Sequence, residues 1–130
     1  MADREEIRVP ELGTPISHYT DAVRAGDLLF VSGCVPTDAE GNVVGGDDVA
    51  AQARKTLENI GVILERAGAT FADVVKTTIF LVDIGDFTAV NAVYATFMPE
   101  PPPARSTIGV AALPKGGLVE IEAMARRASR

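Results

Sequence analysis

The residue types that could support chemistry lie in the last quarter of the chain, and the first of them is Arg105. It follows three consecutive prolines and an alanine and opens an apolar, β-branched segment, residues 106–110. An arginine stays charged in any environment, and its planar guanidinium can bind a carboxylate through two parallel hydrogen bonds. At the start of a predicted strand, Arg105 could therefore hold the carboxylate of a small organic acid.

The second candidate is Glu120, in the predicted strand 117–125. Alternate side chains of a strand share a face, so Glu120 and Glu122 lie together, with Leu118 and Met124 beside them. At a solvated edge both carboxylates would be in water, whereas inside the sheet burial would raise the pKa of Glu120 unless a cation is near. Arg105 is the available cation. A structural Arg105–Glu120 ion pair and a ligand site using both residues stay open as interpretations.

Other polar residues stand in apolar surroundings, and each has a structural and a functional interpretation. Ser32 could donate into a pocket or bond to backbone, and Asn91, beside the apolar stripe of a predicted helix, could cap a loop or reach a ligand. Tyr19 could supply a hydroxyl or pack as a core-edge aromatic. Cys34 has no base nearby in sequence, which disfavours a nucleophilic thiol. His18, the single histidine, lacks metal-ligand spacing, so we expect no metal site.

Helices and strands must position these residues. Apolar residues at spacings of three and four predict a helix over 49–69, with Asp47 or Asp48 at its start and Gly68 as the left-handed cap. A shorter helix begins near Asp86 and ends before Pro99. Strands are predicted over 21–25, 27–35, 74–82, 105–111 and 117–125, with 42–44 as a short edge candidate and the last two as a hairpin. This order predicts an α+β fold, one mixed sheet with two helices on one face.

The second face of that sheet needs a cover, because the segments 28–33 and 79–82 present apolar side chains on both sides of their strands. Two short helices can cover one face. Another copy of the same chain could cover the other, so the pattern predicts a homo-oligomer.

Composition limits the function classes. The 130 residues predict one domain over 1–130. A net charge of −6 argues against nucleic acid as a partner, since such binding relies on lysine and arginine neutralising phosphates. No apolar stretch approaches the roughly 20 residues that span a bilayer. A single cysteine and a charged start without an apolar signal segment favour a cytoplasmic protein.

Several segments together form a specific signature. "VSGCVP", "AQARKTLENIGVILERAGAT", "DVVKTTIFLVD", "VNAVYATFM", "PPPARSTIGVAALPKG" and "VEIEAMA" resemble, in order over residues 13–126, the Rid family of reactive intermediate deaminases, also called YjgF. The resemblance implies a chorismate-mutase-like α+β fold, a homotrimer with pockets at its three interfaces, and no cofactor. It also implies hydrolysis of enamines and imines, such as 2-aminoacrylate, to 2-keto acids and ammonia.

The resemblance also implies roles for single residues. The family arginine that binds the substrate carboxylate falls on Arg105, and the glutamate that positions or activates water falls on Glu120. Pocket positions fall on Tyr19, Ser32, Asn91 and Thr107, and on Cys34.

Two positions depart from the family pattern. Cys34 stands where the family commonly has glutamine, and Thr107 stands where the best-studied branch has cysteine. Because of these two departures, a larger, 2-aminomuconate-like enamine stays open as an alternative substrate. Two other hypotheses are a non-catalytic trimer that binds small carboxylates or a partner protein, and a ribonuclease, which the acidic balance disfavours.

Overall fold

A computed structural model describes residues 3–126 of the chain. Within them the regular elements are six strands and two α-helices, joined by turns and short 3-10 segments. In chain order they are β1 Arg4–Ile7, β2 Ala22–Ala25, β3 Leu28–Cys34, α1 Val49–Arg66, β4 Val74–Leu81, α2 Phe87–Phe97, β5 Ala104–Gly109 and β6 Val119–Arg126. No helix in this part of the chain is long and apolar enough to cross a membrane.

The six strands form one sheet in the order β1-β2-β3-β6-β4-β5. Four of the five strand pairs are antiparallel, and β4 and β5 pair in parallel. The sheet is therefore mixed, and together with the two helices it confirms the predicted α+β fold.

The predicted hairpin between residues 105–111 and 117–125 is wrong. β5 and β6 do not pair, because β4 lies between them, parallel to β5 and antiparallel to β6. A turn rich in proline and glycine is compatible with a hairpin, but it is equally compatible with a connection that passes over a neighbouring strand. The strand β4 is apolar enough to take the central position, since four of its eight side chains are buried.

Helix α1 forms where the apolar spacing predicts it. The Asp48 side chain accepts hydrogen bonds from the backbone N–H groups of Ala50 and Ala51, which have no partner inside the helix. Beyond its last turn Gly68 adopts a φ of +80°, a conformation that favours glycine. The predicted stripe is buried except for Val49, which packs partly against the core, and consists of Ala53, Leu57, Ile60, Leu64 and Ala67.

Two local predictions need correction at the edges of the sheet. Residues 42–44 form no strand, and only an isolated bridge joins Thr37 to Val43. Conversely, the charged segment of β1 pairs with β2, although its sequence shows no apolar alternation. An edge strand can be charged because one face and one side remain in water.

The two faces of the sheet differ in their surroundings. In β6 the residues Val119, Ile121, Ala123 and Ala125 are all buried in the core that the sheet forms with the helices. Glu120, Glu122 and Met124 lie on the opposite face, here called the open face. This open face also exposes apolar side chains, with Phe30 39% and Ile108 45% accessible.

Candidate active site

Arg105 lies on β5 with its side chain toward helix α2. Its Nη1 donates a hydrogen bond of 2.7 Å to Oδ1 of Asn91. The guanidinium carbon lies 4.9 Å from the centre of the Tyr94 ring and 5.2 Å from the centre of the Phe87 ring. Both distances are within the range of cation–π attraction, so one amide and two aromatic rings hold the guanidinium in place.

The sequence of α2 explains why these three partners converge. Phe87, Asn91 and Tyr94 are four and three residues apart, a spacing that places them on one face of a helix. Tyr94 is buried, while Phe87 is exposed at the first turn. The face of α2 that points to β5 therefore forms a cradle around Arg105.

The cation in this cradle has no acidic partner. Among residues 3–126, the ion pairs involve Arg8, Arg24 and Arg66, and none involves Arg105. A guanidinium has five N–H donors, and the single bond to Asn91 leaves donors for a ligand. A partly buried cation of this kind is a site for an anion, and a carboxylate is the anion whose geometry fits two parallel N–H bonds.

Arg105 also lines a cavity of about 590 Å³, here called the α2 cavity. Its wall contains two of the three partners from α2, Asn91 and Tyr94, and the proline-rich segment that follows the helix. Met98 and Ala95 add apolar surface. The exposed Glu100 also lines the cavity. A cavity that combines apolar surface with a cation held in place is suited to a small organic acid.

Glu120 lies on the open face, where it is half-buried. Desolvation by burial, followed by the charge of Glu122, raises the pKa of the Glu120 carboxyl above its ordinary value. Its carboxylate lies against the backbone of Gly33, and a β-carbon at that position would collide with it. Glycine at position 33 thus makes the space for the carboxylate, in the bulged part of β3 opposite β6.

A second cavity of about 330 Å³, here called the β3 cavity, has Gly33 in its lining. Tyr19, Ser32 and Cys34 all line it, so three predicted pocket residues come together here. The Ser32 hydroxyl donates a 2.6 Å hydrogen bond to the carbonyl of Thr20, as the structural interpretation of this residue expects. Its oxygen can still accept a bond from a ligand.

The thiol of Cys34 is not activated. Burial, then the nearby charges of Asp21 and Glu120, raise the pKa of the thiol to about 12. The Sγ atom contacts only the carbonyl of Ser32 among its possible hydrogen-bond partners, at 3.5 Å. A thiol with this pKa stays protonated near neutral pH and is a poor nucleophile. This agrees with the sequence analysis, which disfavours a nucleophilic role for Cys34.

Six of the seven predicted site residues therefore form two groups on one chain. Arg105 and Asn91 meet at the α2 cavity, whereas Tyr19, Ser32 and Cys34 meet at the β3 cavity, where Glu120 approaches Gly33. The linings of the two cavities share no residue.

The seventh residue, Thr107, follows Arg105 on β5 and occupies the same face of the strand. Its Oγ1 is buried with no hydrogen-bond partner among the described residues, a state that is unusual for a hydroxyl, and Thr107 lines neither of the two cavities.

Three further site features escaped the sequence analysis. Phe87 and Tyr94 belong to the apolar stripe of the predicted second helix, and their spacing around Asn91, aromatic–amide–aromatic on one helix face, is the signal that could have indicated them. Gly33 gave no signal, because its role depends on a carboxylate from a strand almost ninety residues away.

Among the described residues, no group of three or more histidine, cysteine or carboxylate side chains could hold a metal ion.

Fold and site together define an α+β protein with an arginine, unpaired among the described residues, in a cavity wall, and comparison with known proteins gives its family. The family model described as endoribonuclease L-PSP matches residues 11–127. The chain belongs to this family, which is also the Rid family. A 2-iminobutanoate/2-iminopropanoate deaminase of Salmonella typhimurium is 45% identical over 115 residues, which cover 86% of this chain and 89% of that protein.

Solved structures agree with this assignment. RidA from an Antarctic Psychrobacter species has a TM-score of 0.88 at 38% identity, and the match covers 94% of this chain and 98% of that one. The Escherichia coli protein TdcF, solved with bound serine, has a TM-score of 0.87 at 35% identity, over 95% of this chain and 99% of that one.

Proposed function

We propose that this protein is a hydrolase that deaminates reactive enamine and imine intermediates of the 2-iminobutanoate and 2-aminoacrylate type. The products are a 2-keto acid and ammonia, and the reaction uses no cofactor. The Salmonella relative named for this activity supports the reaction class. A cytoplasmic location stays a prediction from cysteine usage.

The observation on which the proposal rests is the unpaired guanidinium of Arg105 in the wall of the α2 cavity. A 2-imino acid has a carboxylate next to its reactive carbon. Bound to Arg105, that carboxylate would hold the carbon in a defined position, and fixed orientation can account for about 7–11 kcal/mol of a barrier. The bound serine of TdcF is consistent with an α-carboxylate as the recognised group.

The chemistry needs one base and one water molecule. The imine carbon is already electrophilic, so water can add to it directly. Glu120 takes a proton from the water as the C–O bond forms and passes it to the imine nitrogen. The hydroxyl proton of this adduct then moves to the nitrogen as the C=O bond forms and the C–N bond breaks, so that a 2-keto acid and ammonia leave. An enamine first takes up a proton at carbon and so becomes the imine. A raised pKa makes the Glu120 carboxylate a stronger base than an exposed one, which suits this role.

The proposal includes assembly as a homotrimer whose pockets lie between protomers. Arg105 with Asn91 lines the α2 cavity, and Glu120 approaches the β3 cavity of the same chain from the open face. A site that uses both residues therefore needs the α2 cavity of one protomer to meet the β3 cavity of another. The apolar side chains exposed on the open face give such an assembly its buried surface.

The proposal is tested by generating imino acids in situ with an amino-acid oxidase and measuring their hydrolysis against semicarbazide trapping. We expect hydrolysis with the wild type and its loss with Arg105→Ala and Arg105→Lys, because lysine cannot reproduce the bidentate fork. Arg54→Lys, an exposed position on α1, is the matched control and should keep full activity. Full activity of both Arg105 variants would overturn the mechanism.

The same assay separates the alternatives. A panel of imino acids of increasing size tests the larger, 2-aminomuconate-like enamine, which the volume of the α2 cavity could hold. Saturable binding of 2-oxobutanoate without faster imine hydrolysis would instead indicate a non-catalytic carboxylate-binding trimer.

A further inference from the structure

A buried hydrogen bond lies directly behind the Arg105 cradle. The hydroxyl oxygens of Thr77 and Tyr94 are 2.6 Å apart, and both residues are almost fully buried, with 1% and 4% of their surface accessible. This bond joins strand β4 to helix α2. A hydroxyl pair in the core forms a strong and directional contact, because no water is available to replace either partner.

The register of the sheet places this bond next to the arginine. Thr77 on β4 is the direct partner of Arg105 on β5 in the parallel ladder, so the two side chains leave the sheet side by side. The hydroxyl of Tyr94 is hydrogen-bonded to Thr77, and the centre of the Tyr94 ring lies 4.9 Å from the guanidinium carbon of Arg105. The ring is thereby fixed relative to the strand position from which the arginine extends.

We infer that the Thr77–Tyr94 hydrogen bond is a positioning device for the guanidinium of Arg105, and that it sets the affinity of the site for the substrate carboxylate. Thr77 is a positioning residue and not a catalytic one, since it is absent from the lining of the α2 cavity and acts through the Tyr94 ring. This inference rests on the function proposed above, because it assumes that the ligand of Arg105 is a carboxylate.

The physical reason is preorganisation. An arginine side chain has many rotamers, and binding a ligand with a mobile guanidinium costs the entropy of ordering it. The amide of Asn91 fixes one edge of the guanidinium, and the Tyr94 ring supports its plane. If the ring loses its hydroxyl anchor, the plane can tilt, and a bidentate contact with a carboxylate becomes less favourable in free energy.

The test compares Thr77→Val with Thr77→Ser in the assembled protein. Valine removes the hydroxyl at nearly constant shape, whereas serine retains it. We expect Thr77→Val to weaken the binding of 2-oxobutanoate, measured by calorimetry, about fivefold and to raise KM for an imino acid by a similar factor, with kcat within about twofold of wild type. Thr77→Ser should restore both values to near wild type.

Tyr94→Phe removes the other half of the same bond while keeping the ring. We expect the same direction and a similar size of effect on KM and on 2-oxobutanoate affinity. Because both substitutions break one bond, the double variant Thr77→Val with Tyr94→Phe should lose little more than either single variant.

One control variant makes the result specific. Thr56→Val removes a buried hydroxyl that donates to the Gln52 carbonyl within α1, so it should lower thermal stability without changing 2-oxobutanoate affinity. If Thr77→Val behaves in this way too, with lower stability and unchanged affinity, the bond is only structural and the inference is wrong.

Arg105→Met separates the inference from the proposed function. Loss of 2-oxobutanoate binding in Arg105→Met, together with unchanged binding in Thr77→Val and Tyr94→Phe, would overturn the inference alone. Unchanged binding in Arg105→Met would overturn the proposed function and the inference with it.

Discussion

Arg105 and Glu120 extend from opposite faces of one sheet, on strands that β4 separates. Arg105 pairs with Thr77, whose row in the sheet faces the helices, whereas Glu120 pairs with Phe80 in a row of the open face. Two strand spacings across the sheet and the three residues along β4 from Thr77 to Phe80 place their backbones about 14 Å apart. The two residues therefore form no ion pair across a hairpin, and this version of the structural interpretation is wrong. An ion pair between them at a subunit contact stays an open interpretation.

Subunit complementation should follow if the active site joins two protomers. We expect an equimolar assembly of Arg105→Ala and Glu120→Gln chains to recover up to about a quarter of wild-type activity, although each variant alone is inactive. In random trimers about one site in four combines an intact arginine from one chain with an intact glutamate from its neighbour. Imine hydrolysis after co-refolding measures this recovery.

The control for this experiment is an assembly of Arg105→Ala with Arg105→Lys chains, which should remain inactive. The Arg105→Ala and Glu120→Gln mixture must also be shown to contain trimers with both chains. If such mixed trimers are inactive, the site is not shared between protomers.

Gly33→Ala should displace the carboxylate of Glu120, the proposed base. The new methyl group meets Glu120, and a shift of about 1 Å in a catalytic group can lower the rate about a hundredfold. We expect kcat to fall strongly and KM to change little, because the cradle of Arg105 is unaffected. Gly117→Ala, where the added carbon meets only ordinary contacts of 3.5 Å and longer, is the matched control and should retain kcat.

Glu122→Gln should extend activity to lower pH. Burial is the main cause of the raised pKa of Glu120, and the negative charge of Glu122 is the second. Removing that charge lowers the pKa of Glu120, so this base stays deprotonated in more acidic solution. The acidic limb of the kcat/KM profile should therefore move down in pH, and a move to higher pH would show that another group controls this limb.

Glu120→Gln should stabilise the protein at neutral pH while abolishing activity. A carboxyl whose pKa is raised on folding binds its proton more tightly in the folded state, so stability falls as pH rises through the folded pKa. Glutamine carries no charge and removes this loss. Thermal unfolding should show a higher Tm for the variant at neutral pH and no such gain below the ordinary pKa of a glutamate. A lower Tm at neutral pH would contradict the burial of a charged group here.

Local pattern was sufficient for much of the fold. The spacing of apolar residues located α1 and limited its cap to Asp47 or Asp48, because helix periodicity and capping depend on neighbours within a few residues. The structure has Asp48 as the cap. Alternation in 117–125 correctly placed Glu120 and Glu122 on one face of β6, because a strand turns its side chains by half a revolution at each residue. The edge strand β1 escaped this approach, since charged residues can pair without a buried face.

The sequence alone also determined the residue types of the candidate site. An arginine behind three prolines and a glutamate inside an apolar strand stand out by composition, because a charge in an apolar segment needs a partner or a function. The motifs around them indicated the family, which the matching family model confirmed.

Only the tertiary structure decided how these residues are grouped. Strand order depends on which side chains fill the space between distant segments, and no local pattern records that β4 lies between β5 and β6. The same holds for the cradle of Arg105, which needs one face of α2, and for Gly33, which leaves room for Glu120. Such contacts join residues far apart in the chain, so their geometry exists only once the sheet and helices have packed together.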